Sequence, residues 1–143
     1  MLAPFLASSE VFIEYLNLEG NLFGDLAVLE LLKFSGNQIR SIKILNLSNN
    51  NLTSVCCDTI GRFLGINDSL RELYLHWNKI DYIGGELLFS NIIGGKNKSL
   101  QVLDLSHNNL GNEFNSRRNE TNYNFIKLKI NSLNPTFSLD VTN

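Results

Sequence analysis

The sequence predicts an α/β solenoid, with a parallel β-sheet on the concave side and helices on the convex side. Three observations lead there. The stretch LRELYLHWNKI, residues 70–80, fits the spacing LxxLxLxxNxL, with Leu70, Leu73, Leu75, Asn78 and Ile80 on its fixed positions. The spacing recurs as IKILNLSNNNL from Ile42 and LQVLDLSHNNL from Leu100, and in weaker form as IEYLNLEGNLF from Ile13. The four starts, at 13, 42, 70 and 100, lie 29, 28 and 30 residues apart, and self-similarity at a period of about 20–50 residues is the signature of stacked repeats.

Each half of the repeat has a physical reading. Side chains alternate across a strand, so positions four and six of each copy share one face, and parallel strands from successive repeats stack them into a continuous core. Position nine lies where the strand turns outward and its amides lose their ladder partners. An Asn side chain offers an acceptor and two donors there, for its own loop and its neighbour's. Asn21, Asn50, Asn78 and Asn108 are therefore expected to form a ladder. The remaining residues of each repeat have room for a helix. DLAVLELLKF (Asp25 to Phe34) starts with an acid and is dense in helix formers. DTIGRFLG (Asp58 to Gly65) puts Ile60, Phe63 and Leu64 on one face, and GGELLFSNII (Gly84 to Ile93) puts Leu88 and Ile92 four apart.

This alternation of strand and helix resembles the ribonuclease-inhibitor-like class of leucine-rich repeats, over roughly residues 1–110. The resemblance implies the solenoid fold and says little of activity, since one fold hosts many functions. It divides the chain into a half-repeat helix (1–12), repeats at 13–41, 42–69, 70–99 and 100–124, and a degenerate terminal strand and tail at 125–143. At the start, Leu2, Phe5 and Leu6 read as the core face of a repeat helix whose strand is missing, not as a secretory signal, because MLAPFLASSE carries no basic residue. An apolar face is expected at that end, covered by another chain or by a further part of this one, since repeat arrays otherwise end in polar caps. In the terminal segment FIKLKI alternates, so Leu128 and Ile130 take positions four and six of a fifth strand, expected at the sheet edge.

Composition narrows the function classes. The net charge of −2 offers no broad basic surface for nucleic acid or anionic lipid. No apolar run approaches the ~20 residues that span a bilayer. Cys56 and Cys57 are adjacent, without a flanking cysteine motif, and read as free thiols of a reducing compartment. The N-x-S/T sequons, Asn46 and Asn97 among them, are those expected by chance in an Asn-rich chain. His76 and His107 have no carboxylate or thiolate cluster beside them by spacing, so surface histidines are favoured over metal ligands. The repeat class includes the Ran GTPase-activating protein, which invites a phosphate-contact reading of Arg117 and Arg118, but nothing else in the chain accompanies it. No catalytic set, cofactor motif or small-molecule substrate is indicated.

What remains is a binding surface. Positions three, five and seven of each strand face away from the core, onto the concave sheet. Position three holds Tyr15, Ile44, Glu72 and Val102, and position five holds Asn17, Asn46, Tyr74 and Asp104. Position seven holds Glu19, Ser48, His76 and Ser106, with Gly20, Asn49, Trp77 and His107 following at position eight. Exposed Tyr and Trp side chains are typical anchors of protein interfaces. Tyr74, His76 and Trp77, with Asp104, Glu72, Ile44 and Tyr15, are the expected partner-binding residues. The alternative for Trp77 is packing on its own loop. The expected function is a non-catalytic protein-interaction or scaffold module with protein partners, within a multi-subunit cytoplasmic assembly. LRELYLHWNKI and LQVLDLSHNNLG are also similar to repeats of ciliary and axonemal leucine-rich repeat subunits, which implies a ciliary or cytoskeletal setting. The alternative is an enzyme regulator, of the inhibitor or GTPase-activator type, or a fragment of an innate immune sensor.

Overall fold

A computed structural model describes residues 12–34, 41–93, 97, 99–111, 127–129 and 138–139. Along them strand and helix alternate: β1 (Tyr15–Asn17), α1 (Gly24–Phe34), β2 (Ile44–Asn46), α2 (Ser54–Ile66), β3 (Glu72–Tyr74), α3 (Tyr82–Ile93) and β4 (Val102–Asp104), then β5 (Lys127–Lys129) and β6 (Ser138–Leu139). The strands form one sheet in chain order, parallel from β1 to β5. This is the solenoid expected from the repeats. The pairing register matches repeat position to repeat position: Leu16, Leu45, Leu73 and Leu103 share a row, and Leu128 takes the next place in it.

The core lies between the sheet and the helices. Leu45, Leu47, Leu73, Leu75, Leu103 and Leu105, the strand leucines at positions four and six, are buried, and from the helix side Val28, Ile60, Leu64, Leu88 and Phe89 meet them. Helix entry is set by local chemistry. The Thr53 hydroxyl accepts the Val55 amide at 3.2 Å, and the Asp81 carboxylate accepts the Gly84 amide at 3.0 Å, so an acceptor side chain precedes α2 and α3. Thr53 moves the start of α2 forward of the expected Asp58, which places Cys56 and Cys57 inside the helix as buried free thiols. The Cys57 thiol beside it and burial both push the Cys56 thiol upward, so it stays protonated.

Adjacent repeats are tied at these same helix starts. Asp25 accepts the Thr53 amide at 2.8 Å and its hydroxyl at 2.7 Å, and Ser54 donates to Asp81. Partial burial opposes ionisation of Asp25, but the Thr53 hydrogen bonds outweigh it and hold the carboxyl below its ordinary range.

The asparagine ladder is present across all four repeats. The Asn50 side-chain oxygen accepts the amides of Asn21 (3.0 Å) and Phe23 (3.3 Å), while its NH2 donates to the carbonyls of Leu18 (2.8 Å) and Ser48 (3.0 Å). Asn78 does the same one repeat later, for the amides of Asn50 (2.9 Å) and Leu52 (3.0 Å) and the carbonyls of Leu47 and Leu75. Asn108 accepts the Ile80 amide at 3.0 Å and donates to Leu75 and Leu105. A second asparagine pair, unforeseen from the spacing, works at the return from helix to strand. Asn67 accepts the Ser69 and Leu70 amides, Asn97 accepts those of Ser99 and Leu100, and Asn97 donates to the Asn67 carbonyl. These bonds occupy Asn97, and Asn46 is buried with its NH2 on Glu19, so neither sequon named above is a free side chain.

One expectation is corrected. The strand around Leu128 is not the sheet edge, because β6 pairs with it antiparallel, Leu128 opposite Leu139. The expected tail thus contributes a strand that returns by reversal, which a short connection permits and a parallel partner would not. Leu2, Phe5, Leu6, Arg117, Arg118 and Ile130 lie outside the described residues.

The ladder makes a quantitative claim. Asn50→Ala removes the acceptor of the Asn21 and Phe23 amides, at about 1–3 kcal/mol for each one left unpaired, while the Leu18 and Ser48 carbonyls keep the Asn21 side chain and the Gly20 amide as donors. A loss of about 3 kcal/mol or more is expected in urea titration, inside the roughly 2–5 kcal/mol expected for the core cavity of Leu75→Ala. A loss below about 1 kcal/mol for Asn50→Ala would show that water replaces the ladder without penalty.

Candidate protein-binding site

The outer face of the sheet carries two kinds of position-five residue. In three repeats the side chain serves its own backbone: Asn17 accepts the Glu19 amide at 2.9 Å, Asn46 accepts that of Ser48 at 3.0 Å, and Asp104 accepts that of Ser106 at 3.0 Å. These are local turns of the kind short Asn and Asp side chains form with an amide two residues on. β3 breaks the series. Tyr74 stands where the neighbours have Asn46 and Asp104, with which it is in register. Its oxygen sits at the far end of the ring and cannot serve the amide two residues on. The phenol instead donates to Glu72 at 2.6 Å. That hydrogen bond, burial and the negative charge of Glu72 push the Tyr74 hydroxyl up to about 12, so it remains a donor at neutral pH.

His76 joins the repeats around Tyr74. Its ring meets that of Tyr74 edge to face, centroids 6.2 Å apart. Its Nδ1 lies 2.9 Å from the Ser48 hydroxyl and 3.7 Å from an Asp104 carboxylate oxygen, and its Nε2 lies 3.9 Å from Glu19. Residues of all four repeats therefore converge on one imidazole, which is a more engaged histidine than the free surface residue expected from sequence. The two histidines take separate tasks, because His107 stacks on Trp77 with centroids 4.1 Å apart and planes 8° from parallel. Among the described residues no group of three or more His, Cys, Asp or Glu side chains is placed to hold a metal ion.

Trp77 has an unusual backbone. Position eight takes a left-handed conformation in every repeat, with φ of 73° at Gly20, 53° at Asn49, 55° at Trp77 and 54° at His107. Gly and Asn occupy that region readily, whereas a bulky residue there is strained by about 1–2 kcal/mol. The Trp77 ring thus stacks on the next repeat's His107 and not on its own loop, and the side chain remains 60% exposed.

The expected partner-binding residues do not all present themselves equally. Tyr15 is 58% exposed at the first described strand, and Ile44, Glu72 and Tyr74 are half-buried. Asp104 is buried, holding the Ser106 amide and hydroxyl, with its carboxylate 3.7 Å from His76 Nδ1. Ser48 and Glu19, not among the expected site residues, belong to the same network. The columns already aligned them with His76, but the contact depends on which way the imidazole turns, and spacing does not specify that.

Comparison with known proteins agrees with the repeat fold. Residues 67–89 and 96–113 match the family described as Leucine Rich repeat, and residues 41–63 match a second description, Leucine Rich Repeat. The chain is a leucine-rich repeat protein. It is similar to NACHT, LRR and PYD domains-containing protein 3 of Homo sapiens, 37% identical over 90 residues, which is 63% of this chain and 9% of that protein. The Bos taurus counterpart is 35% identical over 87 residues, 61% of this chain and 8% of that protein. The matched part of the chain thus spans less than a tenth of these curated relatives. Among solved structures, it is similar to leiomodin-1 actin-binding site 2, with a TM-score of 0.77 at 14% identity over 92% of this chain and 78% of that one. It is also similar to the tropomodulin C-terminal domain of Caenorhabditis elegans, with a TM-score of 0.73 at 12% identity over 94% of this chain and 82% of that one. At such identities the likeness is one of fold.

Trp77→Asn tests whether the tryptophan is kept for stability. The substitution copies Asn49 and relieves the left-handed strain, but loses a stack worth about 0.5–1.5 kcal/mol. The two nearly cancel, so thermal unfolding should place the variant within about 1 kcal/mol of the wild type. A loss of about 3 kcal/mol would make Trp77 a structural residue.

Proposed function

We propose that the chain is a non-catalytic protein-interaction module whose concave sheet, centred on Tyr74, is the working surface. The carrying observation is the exchange at position five. Three repeats use that position to secure their own turn, and the third replaces the turn acceptor with an aromatic ring. Local rules of a repeat are typically broken where a function requires it. Tyr74, Glu72 and His76 make up the centre of the face, Trp77 its rim, and Ile44 and Tyr15 its extension towards the first strand. The pairing of Tyr74 with Glu72 and the engagement of His76 hold these side chains in place before a partner arrives, which lowers the ordering cost of association.

The setting we propose is a cytoplasmic multi-subunit assembly, of which a cytoskeletal one has the more support. Leiomodin-1, similar in fold, is described by an actin-binding site, and among the described residues no helix is long and apolar enough to cross a membrane. A ciliary assembly is a narrower form of the same proposal. A second reading, the recognition part of an enzyme regulator or sensor, is favoured by the similarity to a protein whose name joins such repeats to NACHT and PYD domains.

Tyr74→Asn separates binding from folding. It restores the acceptor that Asn46 and Asp104 provide in the adjacent repeats, so the melting temperature should hold or rise. Removing an aromatic interface anchor costs about 2 kcal/mol or more, roughly a thirtyfold loss of affinity. Quantitative pull-down from the native source, run beside thermal melts, reads both effects. Undiminished partner recovery by a stable Tyr74→Asn protein would exclude the concave face as the working surface.

A further inference from the structure

The convex side carries a pattern that the concave reading leaves unused. Leu26, Val55 and Ile83 occupy the same place in three successive repeats, fourteenth from each start, in the first turn of α1, α2 and α3. All three are open to solvent, at 77%, 70% and 62% exposure. Their helices also present buried apolar faces to the core, so these side chains are surplus to folding. One turn further along, Asp58 and Glu86 stand seventeenth from their starts and Glu30 eighteenth from its own, so a carboxylate follows each apolar side chain three or four residues on. Asp25 and Asp81 flank the apolar row from the other side, and hydrogen bonds from Thr53 and Ser54 keep them ionised. Among the described residues the basic side chains on these three helices are Lys33 and Arg62, and Arg62 is paired with Asp58. The strip is therefore apolar along its centre and acidic along its margins.

Spacing selects what fits it. Helices packed side by side lie about 8–10 Å apart. A Cβ on Gly84 would meet the Ser54 hydroxyl at 2.6 Å and Ile80 Cγ2 at 2.8 Å, so α2 and α3 approach closely at the point where Val55 and Ile83 stand. An α-helix repeats its face every seven residues, or about 10.5 Å. We propose that the row Leu26–Val55–Ile83 is a docking strip for a partner's amphipathic helix, laid across the convex helices. Its apolar stripe has a seven-residue repeat and is flanked by Lys or Arg. The match of heptad to repeat spacing sets the register, and the carboxylate margins set the sign of the flanking charge. An anionic membrane, which an exposed apolar row also suits, is disfavoured by those same carboxylates.

The experiment uses the full chain and a labelled designed helix of about 21 residues, with leucines seven apart between lysines. A permuted peptide of identical composition serves as control, with phosphatidylserine vesicles as a second probe. Fluorescence anisotropy should show the striped peptide binding at least tenfold more tightly than the permuted one. The triple variant Leu26→Ser, Val55→Ser, Ile83→Ser should lose that preference while keeping its circular dichroism. Should the triple variant unfold, Val55→Ser alone decides, with an expected loss of threefold or more. Glu30→Lys with Glu86→Lys should also weaken binding, and Tyr74→Asn should leave it unchanged. Equal binding of both peptides, or a triple variant that binds as the wild type does, would overturn the inference. Loss of binding in Tyr74→Asn would move the helix to the concave face and overturn it too. Binding of vesicles in preference to the striped peptide would replace a protein helix with a lipid surface. Sedimentation velocity supplies the last arm: self-association abolished by the triple variant would mean that a second copy covers the row, against the proposal.

Discussion

Asn50, Asn78 and Asn108 at position nine each serve two repeats at once, and the rest of the solenoid depends on that double duty. Asn78 accepts amides from the repeat before it and donates to carbonyls on both sides of the junction. A three-residue strand cannot hold a register alone. The strand must end so that the chain can turn towards its helix, and the turn exposes amides that have lost their ladder partners. The asparagine removes that penalty and transmits the register to the next repeat. Burial of the leucine rows then follows from the register, because a slip by one residue would turn every leucine to the wrong face.

With the interior secured by positions four, six and nine, the outer face is free to vary, and it does so unevenly. Asn17, Asn46 and Asp104 reinforce their own turns, while Tyr74 does not. The left-handed turn at position eight tolerates Gly20 and Asn49 without strain, yet it holds Trp77 and His107. Both departures fall on the junction between the third and fourth repeats, where His76 gathers contacts from the whole array. Convex position fourteen differs again, keeping in the first three repeats a large apolar side chain that the core does not use.

Much of the fold was legible because repeats average out the ambiguity of any one segment. A short strand such as ELY carries no signal alone, but four copies in register do, and the asparagine ladder followed from a single spacing. The start of α2 precedes the segment marked by Ile60, Phe63 and Leu64, because the Thr53 hydroxyl sets it and the apolar spacing does not extend that far forward. The return of β6 was missed because pairing at the end of an array depends on a contact between distant residues, not on period. At the site, the columns identified Tyr74, His76 and Trp77 as outward-facing. They did not distinguish buried Asp104 from exposed Tyr15, since the burial of an outward-facing position depends on the side chains of the neighbouring strands. The Trp77–His107 stack is likewise a matter of rotamers, which spacing leaves open.

Native-state hydrogen exchange tests the ladder most directly. The amides of Asn50 and Leu52, bonded to the Asn78 side chain, are to be compared with those of Leu47 and Leu75, bonded to the strand carbonyls of Tyr74 and Asp104. If the ladder and the sheet are one cooperative unit, all four should open with free energies within about 1 kcal/mol of each other. Exchange of the Asn50 and Leu52 amides through local openings several kcal/mol cheaper than those of Leu47 and Leu75 would contradict that account, making the ladder a consequence of the stack and not its constraint.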